Sequence, residues 1–353
     1  MAASFDSLNT LIAHGFDTVI DARSPAEFTI DHIPGAINLP VLSNQERASV
    51  GTIYKQVSPF DAKKTGAALL AQNVARHLQG PLADYDGAWQ PLVYCWRGGQ
   101  RSGAFATILQ QVGWRAQVLE GGYQTYRRLV SAAMHTTALA HKLIVLDGNT
   151  GTAKTALLHL LAARGHQMVD LEGLAAHRGS VFGAVDQAQP SQKAFEGALA
   201  GAFAGLDANR PVLVEAESSK IGRVLIPPSV WQAMKIAPRI SVTAPLCERA
   251  AYLVGTYTNI TRDPAVLQDR LAGLVAHQGR AQVDEWQAMA ACGDMEPLAQ
   301  GLMQAHYDPS YTRSRSKHAA VSMGVVHSDS LADAGLSKTV DRLEELLAAS
   351  VPV

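Results

Sequence analysis

The chain is poor in cysteine, in aromatic side chains and in charge. Of its 353 residues only three are cysteines, Cys95, Cys247 and Cys292. No two of them lie at metal-ligand spacing, which excludes a zinc-ribbon or disulfide-scaffold class and predicts reduced thiols in a cytoplasmic protein. Aromatic residues make up 6% and charged residues 17% against 47% hydrophobic, a balance that excludes a disordered chain. The net charge of −1 excludes a globally basic nucleic-acid binder, so any nucleic-acid partner has to meet a local basic face. No apolar run approaches membrane-spanning length, and no membrane association is expected. The opening residues, Met1-Ala2-Ala3-Ser4-Phe5-Asp6, lack a basic segment and a long apolar core, so no signal peptide is expected. Internal repeats and low-complexity segments are also missing.

What is present is a pair of loops, each between a strand and a helix. In the first third, Phe16–Ile20 reads as a strand ending in Asp21-Ala22-Arg23, and Ser24-Pro25-Ala26-Glu27 as a helix start with a capping box. His32–Asn38 is a turn into a further strand, and roughly Lys64 to Leu78 is helical. The apolar strand Pro91–Tyr94 then runs into Cys95, Trp96, Arg97, Gly98, Gly99, Gln100, Arg101 and Ser102. A thiol becomes a nucleophile as thiolate, and curled backbone amides, a guanidinium and a helix N-terminus all stabilise that charge. The glycines let such a loop close tightly. Cys95 and Arg101 are therefore the candidate catalytic pair, with Trp96, Arg97, Gly98, Gly99 and Gln100 as the active-site loop. The same spacing fits a cysteine-phosphatase loop, in which the arginine grips phosphoryl oxygens. Asp21 and Arg23 read either as a brace for this loop or as a surface ion pair. Cys247 and Cys292 read as structural.

Past a small-residue connector at about 131–141, the strand Lys142–Leu146 leads into Gly148, Asn149, Thr150, Gly151, Thr152, Ala153, Lys154 and Thr155. This segment fits the phosphate-binding loop G-x-x-x-x-G-K-[ST], with Ala153 in place of the second glycine. Its amides would cradle phosphate, Lys154 would add charge, and Thr155 a hydroxyl for Mg²⁺. The methyl of Ala153 favours anion binding over ATP hydrolysis. The next strands end in Asp170, Glu172, Glu215 and Glu217, which read equally as Mg²⁺-associated acids or as helix caps. From about Ala244 the chain reads as mostly helical. Among its scattered cations, Arg223, Arg313, Arg315 and Lys317 are the candidates for a phosphate-facing basic surface. Strands alternating with helices predict two parallel α/β domains, residues 1–134 and 140–353.

Together the halves resemble bacterial tRNA 2-selenouridine synthases. The residues behind the resemblance are Asp21–Phe28, His32–Ala36, the Cys95–Ser102 loop and Glu120-Gly121-Gly122-Tyr123 in the first half. In the second they are Gly148–Thr155, Asp170-Leu171-Glu172, His177-Arg178-Gly179-Ser180, Glu215–Ser218, Ile221-Gly222-Arg223 and Tyr307–Tyr311. The resemblance implies a rhodanese-like parallel-sheet domain followed by a P-loop NTPase-like α/β domain with a helical C-terminal part. It implies a transferase acting on tRNA that carries 2-thiouridine at the wobble position, S-geranylating it with geranyl diphosphate and then selenating it with selenophosphate. Cys95 takes the place of the family's selenium-transferring cysteine. The co-substrates would be selenophosphate and geranyl diphosphate, with Mg²⁺, and the enzyme that produces selenophosphate is an implied partner. The alternatives are a rhodanese-type sulfurtransferase with a regulatory nucleotide-binding domain and a non-catalytic thiol-based sensing module.

Overall fold

The computed structural model describes residues 2–180, 182–258, 263–315 and 321–349. The chain divides into two compact units: Met1–Thr137 with Pro190–Gly205, and Ala138–Gln189 with Leu206–Val353.

The first unit is built on a five-stranded, fully parallel sheet. Its strands are β1 (Ala2–Ala3), β2 (Thr18–Asp21), β3 (Ile37–Asn38), β4 (Pro91–Tyr94) and β5 (Gln117–Leu119), in the order β1-β5-β4-β2-β3. Every residue of β4 is buried, which is why it reads as an unbroken apolar run rather than an alternation. β4 is the middle strand, and its end, Tyr94, pairs with Asp21 at the end of β2. The loop after β4 thus opens at the centre of the carboxyl edge, where parallel α/β sheets place their ligands. Helices α1 (Leu8–Ile12), α2 (Pro25–Ile30), α3 (Asn44–Gln56), α4 (Pro59–Gln79), α5 (Gln100–Val112) and α6 (Gly122–Ser131) complete the unit. The capping box at Ser24 and Glu27 is present, whereas the helix expected at 64–78 starts earlier, at Pro59, with Ser58 as its N-cap.

The second unit carries β6 (Leu143–Gly148), α7 (Lys154–Ala163), β7 (Gln167–Val169) and α8 (Leu171–Ala175). Next in the chain is helix α9 (Gln192–Ala204), which groups with the first unit although the sequence reading gave all of 140–353 to the second. The physical reason is its seat: Glu196 is ion-paired with Arg127 and His135, and Gly197 passes so close to the Tyr126 hydroxyl that a Cβ would collide. The second unit resumes with β8 (Val212–Glu215), the hairpin β9 (Lys220–Ile221) and β10 (Val224–Leu225), α10 (Pro228–Ile236), β11 (Arg239–Thr243) and α11 (Leu246–Thr256). Its sheet is parallel throughout, in the order β12-β11-β6-β8-β7, with β12 at Ser322–His327. That last strand lies within the region read as helical. Three of its six residues are exposed and only Val326 is buried, and it is recruited as an edge by pairing with β11. Between α11 and β12, helices over Pro264–Ala272, Val275–Gln278, Arg280–Cys292, Met295–Leu302 and Asp308–Arg315 enclose a separate apolar core that includes Phe182, Leu267, Trp286, Leu298 and Leu302. Among the described residues no helix is long and apolar enough to cross a membrane.

Candidate active sites

At the carboxyl end of β4, Cys95 is 3% exposed and receives a hydrogen bond from the Ser102 hydroxyl at 3.2 Å. Burial by itself pushes the thiol up. The Ser102 hydroxyl and amide, the Arg101 charge and the Arg97 amide outweigh it and hold the thiol below its ordinary value. The loop is bound to the turn after β5. Gly98 has φ +65°, and a Cβ there would lie 2.5 Å from the Leu119 carbonyl oxygen. Gly122 has φ +57°, and a Cβ would collide with the Cys95 carbonyl and the Gly98 amide. The Tyr123 and Gln124 amides donate to the carbonyls of Cys95 and Trp96 at 2.8 and 3.1 Å.

Arg101 is not free to clamp a ligand from all sides. Its Nη1 donates to Glu27 Oε2 at 3.0 Å, and Arg47 holds the same oxygen at 2.9 Å. Glu27 thereby fixes the guanidinium where its charge still acts on Cys95. Asp21 and Arg23 are not a surface pair: both are buried, 2.6 Å apart. Arg23 stacks over the Tyr123 ring at 4.0 Å, Tyr123 donates to Asp31 at 2.8 Å, and Trp96 stacks on Tyr123 at 5.1 Å. The pair braces the thiol loop through aromatic rings. His32 is a turn residue stacked on Phe28. Cys247 and Cys292, read as structural, are exposed.

The second site follows β6, the central strand of its sheet. Residues Gly148–Thr155 wrap the start of α7, and Lys154 Nζ donates to the Gly148 carbonyl at 3.0 Å. Ala153 has φ +57°, the left-handed region where glycine is favoured, and its buried methyl packs with the core of Leu157, Leu158 and Val242. The departure from the motif therefore adds backbone strain while the methyl takes its place in the core.

The four acids do different things. Asp170 caps α8 through the Gly173 amide at 2.6 Å and meets His159 at 2.9 Å, so capping describes it. Glu172 accepts from the Thr155 hydroxyl at 3.3 Å. Glu215 accepts from the Glu172 amide at 2.7 Å, and its other oxygen, Oε2, is buried with no hydrogen-bond partner among the described residues. Burial, then the neighbouring Glu172 and Asp170 charges, push Glu215 up to about 8. Burial, then the neighbouring Glu172, raise Glu217 well above the usual carboxylate range, and burial raises Glu172 as well. Among the described residues no three His, Cys, Asp or Glu side chains converge to hold a metal alone. Thr155 and Glu172, both lining the cleft, fit a Mg²⁺ that takes its remaining ligands from phosphate and water, and the orphaned Glu215 oxygen is fully buried next to Glu172.

Arg249, one of the scattered cations of the sequence, is 6% exposed. It holds the phosphate loop, donating from Nε to the Thr150 carbonyl at 2.9 Å and pairing bidentately with Asp308 at 2.7 and 2.9 Å. Spacing gives no sign of this, because the partners lie 99 and 59 residues away. Ser102 was visible only as a member of its loop. The cleft at the phosphate loop encloses about 420 Å³ and is also lined by Glu172, Arg178 and Tyr311. A smaller apolar cavity of about 80 Å³ meets it at Thr150, Ser180, Leu253 and Tyr257. Arg223, at the β9–β10 turn, and Arg313 are both exposed, and the Arg223 amide donates to Gln189 at 2.8 Å. Lys317 lies outside the described residues, as does the side chain of Arg315.

A family profile described as tRNA 2-selenouridine synthase AAA domain matches residues 141–284, and the rhodanese-like domain profile matches residues 4–129. A tRNA 2-selenouridine synthase of Nitrosomonas europaea is 37% identical over 243 residues, an alignment covering 68% of this chain and 63% of the relative. The corresponding protein of Alcanivorax borkumensis is 32% identical over 333 residues, covering 85% of this chain and 90% of the relative. The match therefore spans a little under two thirds of the Nitrosomonas europaea protein's length and most of the Alcanivorax borkumensis protein's. Among solved structures, the N-terminal domain of a putative ATP/GTP binding protein from Clostridium difficile 630 is 34% identical, covers 37% of this chain and 98% of that one, and superposes with a TM-score of 0.31.

Proposed function

The chain belongs to the tRNA 2-selenouridine synthase family, and on that premise we propose that it converts wobble-position 2-thiouridine of tRNA to 2-selenouridine in two stages. The observation that carries the reading is the pairing of an acidified thiol at Cys95 with a phosphate-loop cleft on one chain. In the first stage the loop amides and Lys154 hold the diphosphate of geranyl diphosphate. The soft 2-thio sulfur attacks the allylic carbon. A C–S bond forms as the C–O bond breaks, diphosphate leaves with the bonding pair, and the N3 proton of the base passes to solvent. Mg²⁺, held by Thr155, Glu172 and phosphate oxygens, would supply further neutralisation of the leaving group. Arg249 keeps the loop in shape through Thr150.

S-alkylation turns the sulfur into a good leaving group, so selenium can add at C2 and expel geranyl thiol. The selenium of selenophosphate forms the C2–Se bond as the C2–S bond breaks and geranyl thiolate leaves; water then splits the P–Se bond, releasing phosphate and leaving 2-selenouridine. Cys95 is the residue assigned to this delivery of selenium, its thiolate stabilised by the Gly98 and Gly99 amides and the Arg101 charge. Arg223 and Arg313 are exposed cations suited to tRNA phosphates.

The test is mass spectrometry of nucleosides after thiolated tRNA is incubated with geranyl diphosphate and then selenophosphate. Wild type should give S-geranyl-2-thiouridine and then 2-selenouridine, and Cys95→Ala should stop at the geranylated base. Full selenation by that variant would remove Cys95 from the mechanism. Thiosulfate:cyanide turnover with no product on tRNA would replace the proposal by a sulfurtransferase.

A further inference from the structure

The apolar cavity beside the phosphate loop has no part in holding an anion, and its construction says what it takes. It lies within the separate helical core: Leu267, Leu298 and Leu302 are 4%, 3% and 8% exposed, and Met303 is fully buried. Met295, Leu298, Ala299 and Leu302 line it from one helix, at the 3–4 residue spacing that keeps side chains on one face. It meets the anion cleft at Thr150, the third residue of the phosphate loop, and at Leu253 and Tyr257. A molecule filling both spaces has a phosphorylated head and a hydrocarbon tail. A nucleotide base suits it poorly: the wall offers hydroxyls only from Thr150, Ser180, Tyr257 and Tyr307 and is otherwise hydrocarbon, so most of a base's polar edge would lose its hydrogen bonds to water.

We propose that this cavity seats the distal part of an isoprenoid tail, and that the residues lining it, Leu298, Ala299 and Met303 among them, limit the transferred group to two isoprene units. The proposal rests on the geranyl-transfer reading and deepens it. Size decides the limit. At about 80 Å³ the cavity is smaller than the ~150 Å³ dry cavity that takes benzene, so it holds no more than one five-carbon unit. The unit attached to the diphosphate then lies in the cleft, against Leu253 and Tyr257. A third unit would have to displace close-packed side chains, which cores resist.

The test uses the full chain and four probes: inorganic pyrophosphate and dimethylallyl, geranyl and farnesyl diphosphates. Affinities are measured by calorimetry, and transfer to thiolated tRNA by nucleoside mass spectrometry. Wild type should bind geranyl diphosphate about tenfold or more tighter than pyrophosphate, since each buried methylene adds favourable transfer free energy. Ala299→Phe, which fills the cavity, should lose that tail-dependent increment while pyrophosphate binding stays within about twofold. Leu298→Ala, which enlarges it, should raise the farnesyl-to-geranyl transfer ratio about tenfold. Thermal melts establish that each variant is folded, and Leu298→Ala decides the matter if Ala299→Phe is not. An unchanged geranyl-to-pyrophosphate affinity ratio in Ala299→Phe, or an unchanged transfer ratio in Leu298→Ala, would overturn the assignment. Absence of any S-prenyl product from wild type would instead overturn the transfer reading. Loss of the tail increment in Ala299→Phe would in that case still place a hydrocarbon tail in the cavity.

Discussion

Replacing Ser102 by alanine removes one hydroxyl, 3.2 Å from the Cys95 sulfur, and leaves the other groups that favour thiolate in place. A hydrogen bond to a charged group contributes about 1.5–3 kcal/mol, and one pKa unit corresponds to about 1.4 kcal/mol. The Cys95 titration should therefore rise by about one to two units, because burial, which opposes ionisation, is no longer fully offset. The assay is the rate of alkylation by iodoacetamide against pH, with exposed Cys247 and Cys292 changed to serine so that Cys95 alone reports. The linkage has a definite sign. The folded thiol titrates below its unfolded value, so the thiolate stabilises the fold above the unfolded value, and that contribution is lost as pH falls through the folded one. Ser102→Ala should flatten this pH dependence of stability as well. A midpoint that moves by less than about 0.3 unit would show that the hydroxyl contributes almost nothing to the thiolate, and the account of the loop would fail.

Three further outcomes follow from the phosphate-loop unit. Arg249→Met should destabilise by about 2–4 kcal/mol in urea unfolding, because it leaves Asp308 and the Thr150 carbonyl without their partner; a loss under about 1 kcal/mol would refute the anchoring role. Ala153→Gly should change stability by no more than about 1 kcal/mol, since relief of left-handed strain, about 1–2 kcal/mol, is offset by the lost buried methyl and a more flexible unfolded chain. Pyrophosphate titration of that variant should show unchanged affinity, and a large gain would mean that the methyl does obstruct the site. Glu215 is pushed up to about 8, so its contribution to stability is greatest below its unfolded value and is lost as pH rises from about 4.5 to about 8. Denaturant midpoints of Glu215→Gln should lack that decline, and an equally steep decline would exonerate Glu215.

Local pattern carried much of this protein. The unbroken apolar runs at Pro91–Tyr94 and Leu143–Leu146 marked central buried strands, because a parallel strand covered on both faces has no polar side to show. Ser24-Pro25-Ala26-Glu27 marked a helix start because a capping box is satisfied by residues three apart. The Cys95 loop and Gly148–Thr155 were legible for the same reason: each is a strand, a tight turn and a helix N-terminus in one short segment, and its anion-holding amides come from that segment. Two parallel α/β units, one with a thiol loop and the other with a phosphate loop after its central strand, were therefore determined by the sequence.

What long-range packing brings together was not. The Arg249–Thr150 bond, the Glu27–Arg101 pair and the Asp21–Arg23–Tyr123–Trp96 stack join residues whose separation is set by sheet order, and one chain's spacing does not encode sheet order. β12 was hidden because an edge strand with only Val326 buried has no period strong enough to announce it; pairing with β11 makes it a strand. The raised acids Glu215 and Glu217 needed burial, which only the folded chain supplies. The apolar cavity is the plainest case. Its wall comes from Phe182, Leu253, Leu267 and Leu298, drawn from separate segments of the chain, and a void exists only where their side chains, once packed, fail to meet.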